Sequence, residues 1–173
     1  VCEPYQMLGE IEDDLAQILG SDCVPANGRG TMFGFPNEGW HEWRAPWGQV
    51  LSVPAGFNPR VETNGDVYLF PEGDNTVPPS GHMPASGYFF DAIIRQEPID
   101  EDNMDPADNC EEFQLLSVAD IEHWQRESTR VQGEQRAVVS GIGGTGFGDI
   151  ALVPAAFLKY PKGVRDVSEW YIS

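Results

Sequence analysis

The sequence predicts an α/β fold in which helices alternate with buried strands, as a sheet or barrel, and an antiparallel β-meander is inserted. Three observations predict it. Apolar residues at helical spacing precede a short β-rich run near residue 22, and a second helix precedes another such run at residue 137. Between the two, residues 40–71 carry β-formers punctuated by turn signals. Hydrophobic residues make up 40% of the 173 residues and aromatics 11%, enough to build a core rather than a disordered chain.

The elements follow in order. Leu8, Ile11, Leu15, Ile18 and Leu19 recur at helical spacing among acidic residues, with Pro4 suited to the first turn and Gly20 to the stop. A short strand is expected at Asp22–Pro25, then a loop at Asn27-Gly28-Arg29-Gly30. Trp40, Trp43 and Trp47 lead into the β-formers Gln49–Val53. Asn64-Gly65 is a hairpin signal of the type I′ kind and joins Pro59–Glu62 to Val67–Phe70. Pro78-Pro79-Ser80-Gly81 closes the meander, and Gly87–Ile94 reads as a further strand. Residues 97–112 form an acidic, solvated linker. A helix opens at Ser117 with Asp120 as its capping partner and Ile121, Trp124 and Val131 as its apolar side. Ala137–Ile142 is a continuous β-branched run, expected to be buried, and ends in glycine-rich Gly143–Gly148. A looser helical stretch interrupted by Pro154 and Pro161 follows. A capping box with Asp166 and Glu169 then opens a last helix. The chain starts without Met and stops soon after that helix begins, so it reads as a piece of a longer protein.

Charge narrows the function classes. With 10 basic and 28 acidic residues the net charge is −18. Phosphate binding needs Lys and Arg to displace counterions, so nucleic acid is excluded as a partner, and so is an anionic membrane surface. No apolar run has the length of a membrane-spanning helix, and no signal peptide is visible. Cys2, Cys23 and Cys110 are odd in number and widely spaced, which fits reduced thiols and a cytoplasmic location. Cys23 is expected to be a small buried hydrophobe.

Few motifs carry chemistry. Gly141-Ile142-Gly143-Gly144-Thr145-Gly146 matches G-x-G-x-x-G after a predicted strand, and Asp166 lies 20 residues beyond Gly146. Read as a dinucleotide fingerprint, it needs a following helix to supply the dipole, and Pro154 interrupts that helix. The same glycines also serve as a tight turn, or as a pocket wall that a ligand approaches closely; a mixture of these two is preferred. An EF-hand count from Asp100 fails, because Met104 and Asp105 occupy the fifth and sixth positions. His41, His82 and His123 pair with no Cys or His at ligand spacing, so no metal site is read, and each is expected at the surface or in a loop. The tryptophans read either as packing for the meander or as a ring-stacking platform.

Three long strings, TMFGFPNEGWHEWRAPWGQ, PEGDNTVPPSGHMPASGYFFDAIIRQEPID and GIGGTGFGDIALVPAAFLKYPKGVRDVSEWYIS, give the chain a family resemblance. It resembles the uroporphyrinogen decarboxylase-like superfamily, closest to the decarboxylase-like or corrinoid-linked methyltransferase branch. The resemblance implies a (β/α)8 TIM-type barrel. Such a barrel takes about 250 residues, so this chain is expected to be a partial one. Residues 1–39 and 117–173 would be barrel segments, 40–96 the meander insertion and 97–116 the linker. True decarboxylases of the family place an aspartate at the strand end that here reads Pro25-Ala26-Asn27, and this favours corrinoid-linked methyl transfer over tetrapyrrole decarboxylation. For the full-length protein the resemblance implies zinc, a corrinoid protein as partner and a small-molecule substrate. No cofactor is expected within this piece, which alone is expected to be inactive. A non-catalytic binding or docking module is the reading from a different class.

Barrel enzymes place their sites at the C-terminal ends of the strands. The residues expected to line a substrate pocket are therefore Asn27 and Arg29 at the first strand end, and Gly143, Gly144, Thr145 and Phe147 at the second. Asp149 either joins them or caps the next helix.

Overall fold

A computed structural model describes residues 1, 3–111, 113, 115–141 and 152–172. The described residues form a mixed helix-and-strand chain with several small sheets, none closed into a barrel. Helix α1 (Asp13–Ile18) precedes strand β1 (Cys23–Ala26), and helix α2 (Val118–Arg130) precedes strand β8 (Ala137–Ser140). β1 and β8 pair in parallel, with Cys23 opposite Ala137 and Ala26 opposite Ser140. The two predicted α/β units therefore meet, although more than a hundred residues separate their strands.

The insertion lies between them. β2 (His41–Arg44) and β3 (Val50–Val53) form an antiparallel hairpin. β4 (Arg60–Val61), β5 (Val67–Leu69), β6 (Gly81–Met83) and β7 (Asp91–Ala92) form a four-stranded antiparallel sheet in sequence order. The closed core belongs here. Phe33, Phe35, Phe57 and Phe90 pack with Val53, Val67, Leu69 and Met83, and Ala156 joins them from the far end of the sequence. Phe33 meets Phe90 edge-on at 5.7 Å between ring centroids. A Cβ on Gly81 would stand 2.5 Å from the Phe33 ring, so a bare glycine backbone is what lets β6 cross that ring.

Several expectations are corrected. The first helix is six residues long, because residues 3–8 close into a turn with the Glu3–Leu8 bridge. Its apolar residues face outward, and Ile18 is 81% exposed. Gly20 does end it, at φ +72°, with the Ser21 and Gly20 amides donating to the Ala16 and Gln17 carbonyls. In the β4–β5 turn only Gly65 has positive φ, so the turn is a type I bend followed by a left-handed glycine, not type I′. Gly81–Met83 is a strand rather than a closing loop, while most of Gly87–Ile94 is irregular. The Ala137–Ser140 strand is exposed, with Val138 at 47% and Val139 at 57%, because β1 is its one neighbour among the described residues. Cys23 is exposed too.

The acidic linker is not simply solvated. Its Asn109 Oδ1 accepts from the Val164 amide at 2.7 Å, and Glu111 accepts from the Lys162 amide and pairs with Arg165 at 3.1 Å. Arg165 is 2% exposed, so this carboxylate offsets a buried charge. Residues 152–158 form two consecutive turns through Ala155 rather than a loose helix. Arg95 donates to the carbonyls of Ala155, Leu158 and Lys159, and burial lowers its pKa to about 10, with Arg165 nearby. Gln96 Oε1 accepts from the Arg165 and Asp166 amides at 2.6 and 2.8 Å. Asp166 caps helix α3 (Val167–Ile172) through the Ser168 and Glu169 amides. Gln96 thus takes the Asp166 amide that a capping-box Glu169 would have accepted.

Two outcomes follow. In α2 the Ser117 amide and hydroxyl both donate to Asp120, and the Asp120 amide donates back to Ser117. Ser117→Ala should cost about 1 kcal/mol in chemical denaturation and fray α2 first, as read by amide exchange. Asp74 is held by Thr76 and Lys159 with its pKa lowered from 3.8 to about 2. A depressed folded-state pKa stabilises above the unfolded value and loses that effect as pH falls. Between pH 3.8 and 2, residues 152–159 should therefore loosen from the meander, and Asp74→Asn should remove that acid-dependent step.

Candidate functional site

The site grows from a requirement of the backbone. In a parallel pair alternate residues of a strand point their N–H and C=O toward the neighbour, and the others point away. The Ala137 amide donates to the Asp22 carbonyl, so residues 22, 24 and 26 face β8 and Cys23, Pro25 and Asn27 face outward. Proline suits an outward position because it has no donor to waste.

Each outward carbonyl at this edge finds a side chain. The Cys23 carbonyl accepts from the Ser21 hydroxyl at 2.9 Å. The Pro25 carbonyl accepts from Arg130 Nη2. The Asn27 carbonyl accepts from His123 Nε2 at 2.8 Å. His123, Glu127 and Arg130 lie on one stripe of α2, so a helix supplies the polar partners that a further strand would have supplied. The inward side of α2 is consequently polar. Of the predicted apolar side, Ile121 is exposed, whereas Trp124, beside Gly28, and Val131 are half-buried.

Beyond this edge lies a cavity of about 590 Å³ between α1, β1 and α2. Asn27, Arg29, Asn37, His123, Glu127 and Arg136 contribute to its wall. Ion pairs brace it. Arg29 meets Glu38 at 2.8 Å, Arg130 meets Glu127 at 2.8 Å, and Arg136 meets Asp13 at 2.7 Å and Glu134 at 3.2 Å. Arg136 lowers the Asp13 pKa, and Arg130 lowers that of Glu127. Glu127 and Glu134 raise the pKa of Arg130 and Arg136 in turn. The wall therefore holds fixed charges of both signs and one imidazole.

The structure places two of the expected pocket residues, Asn27 and Arg29, together in this wall. Gly143, Gly144, Thr145 and Phe147, and Asp149 with them, lie outside the described residues. His123, Glu127 and Arg130 were not expected at a site. Their i, i+4, i+7 spacing was visible, but it reads as a solvated face until β1 is known to need partners. Among the described residues no group of three His, Cys, Asp or Glu is arranged to hold a metal ion. His82 instead faces Asp66 at 3.2 Å and stacks on Tyr68. The zinc that the resemblance implies is therefore not matched by a donor set in these residues. No helix among them is long and apolar enough to cross a membrane. Trp43 packs on Phe57 at 5.0 Å, whereas Trp40 and Trp47 remain exposed, with Trp47 meeting Tyr88.

Compared with known proteins, the chain matches no family model, no curated protein and no solved structure.

Glu127→Ala should remove the carboxylate that orients Arg130 toward the Pro25 carbonyl, and hydrogen exchange should then show faster exchange of the β1 amides.

Proposed function

We propose that the chain is part of a uroporphyrinogen decarboxylase-like enzyme of (β/α)8 type, whose whole protein carries out corrinoid-linked methyl transfer. One observation carries the reading. β1 and β8 run parallel with α2 leading into β8, and the cavity along the open edge of β1 reaches its C-terminal end, where Asn27 and Arg29 contribute to the wall. This is where α/β enzymes place small-molecule sites. The exposed valines of β8 agree with a sheet that continues into further elements.

The strand end favours methyl transfer over tetrapyrrole decarboxylation. Where a decarboxylase of the family would present a carboxylate, this chain presents Asn27, whose carbonyl is already committed to His123. Zinc and a corrinoid partner belong to the proposal for the whole protein, and no step is assigned to them from these residues. A docking module is the second reading, favoured by the exposed rings of Trp47, Tyr88 and Phe89 on the meander.

The test supplies methylcobalamin and a thiol acceptor to the whole protein, with uroporphyrinogen in a parallel assay. The expected result is demethylation of the cobalamin, seen in its absorption, with no release of carbon dioxide from uroporphyrinogen. Arg29→Ala should lower the transfer at least about tenfold, the loss expected from one charge-assisted contact. Carbon dioxide release would replace the reading with decarboxylation, and inactivity in both assays would leave the docking reading.

A further inference from the structure

We propose that His123 is the proton acceptor of the strand-end cavity, with its tautomer fixed by the Asn27 carbonyl. The inference rests on reading this cavity as a ligand site, but not on which reaction is run there. A carbonyl oxygen only accepts hydrogen bonds, so the 2.8 Å contact requires a hydrogen on His123 Nε2. In the neutral ring Nδ1 is then the bare nitrogen. It makes no hydrogen bond with any described residue, and it is not sealed from solvent. His123 lines the cavity. An imidazole whose far nitrogen is tied to a backbone carbonyl is oriented as well as polarised, since the bond prevents the ring from flipping or exchanging tautomers.

The surroundings suit a proton acceptor. Asp120, Glu127 and Arg130 flank the ring on α2, and Arg29 and Glu38 approach from the loop after β1. Glu10, Glu12 and Asp13 face the same cavity from α1 and the residues before it. Glu127 accepts from Arg130 through both carboxylate oxygens, so it does not compete for the ligand's proton. In the proton step an X–H bond of the ligand breaks and Nδ1–H forms, while the electron pair stays on X. The imidazolium keeps its Nε2–H bond to Asn27. Arg29 gives Nη2 to Glu38, and its remaining N–H groups are available to the new anion.

The wall limits the ligand class: a small molecule with an X–H to give to Nδ1 and a group that turns anionic beside the Arg29 guanidinium.

The experiment reads the ring directly in the whole chain, with ¹⁵N-labelled histidine and long-range proton–nitrogen spectra at a pH where the ring is neutral. His123 is expected as a single Nε2–H tautomer with Nδ1 bare, and diethyl pyrocarbonate should modify it, as located by mass mapping. His123→Gln keeps an amide donor for the Asn27 carbonyl, so the variant should stay folded and lose that one modification. A Nδ1–H tautomer, a ring exchanging between tautomers, or a His123 inert to diethyl pyrocarbonate would each overturn the inference. None of these readouts needs methyl transfer, so failure of the proposed activity leaves them intact.

Discussion

Among the described residues β1 pairs with one strand only, which leaves half of its backbone without a ladder partner, and the architecture around it follows from that constraint. An unmet N–H or C=O away from water costs as much as a lost hydrogen bond. Here the cost is lessened by side chains that meet the outward carbonyls: Ser21 at Cys23, Arg130 at Pro25, and His123 at Asn27. The solution has a second effect. It draws charged and titratable groups to the cavity along the open edge of β1. The same three residues of α2 therefore both brace the strand edge and line the cavity.

Acidic residues serve a related purpose throughout the chain. Glu3 accepts from the Tyr5 and Gln6 amides, Asp66 from Ala85, Asp100 from Asp102, Asp105 from Ala107, and Asp166 from two amides of α3. Short carboxylates are well suited to this, because they reach backbone N–H groups one turn away. The charge of −18 is thus more than a solvating surface. It supplies the acceptors that irregular backbone needs when regular structure is sparse, and in Glu111 it also supplies the counter-charge for a buried arginine.

Local signals in the sequence were the readable ones. Gly20 as a helix stop, Asn64-Gly65 as a turn, Ser117 with Asp120 as a cap and Asp166 as a cap all act within a few residues. The strands at 23 and 137 and two members of the site, Asn27 and Arg29, were also legible from β-rich runs and strand ends. Burial was not. Leu15, Ile18 and Ile121 carry helical periodicity but face solvent, because periodicity names a face without naming what covers it. Gly81 as a strand residue was hidden, since its reason is the Phe33 ring, remote in sequence. The α2 stripe was hidden for the same cause: its partners are backbone atoms of Pro25 and Asn27, which leave no mark in composition.

The parallel pairing of β1 and β8 also bears on how the chain reaches its fold. A simple βαβ unit closes over about 30 residues, whereas here the strands are more than a hundred apart. Loop-closure entropy grows slowly, so the added length costs only about 1 kcal/mol at equilibrium. Its kinetic weight is larger, because contacts distant in sequence form late and slow the search. The meander can lessen that search. With Phe33, Phe57 and Phe90 packed together, the insertion takes up much of that length as a folded body, and the flanking Gly28 and Trp124 lie against one another, so closure spans less free chain than the residue count suggests.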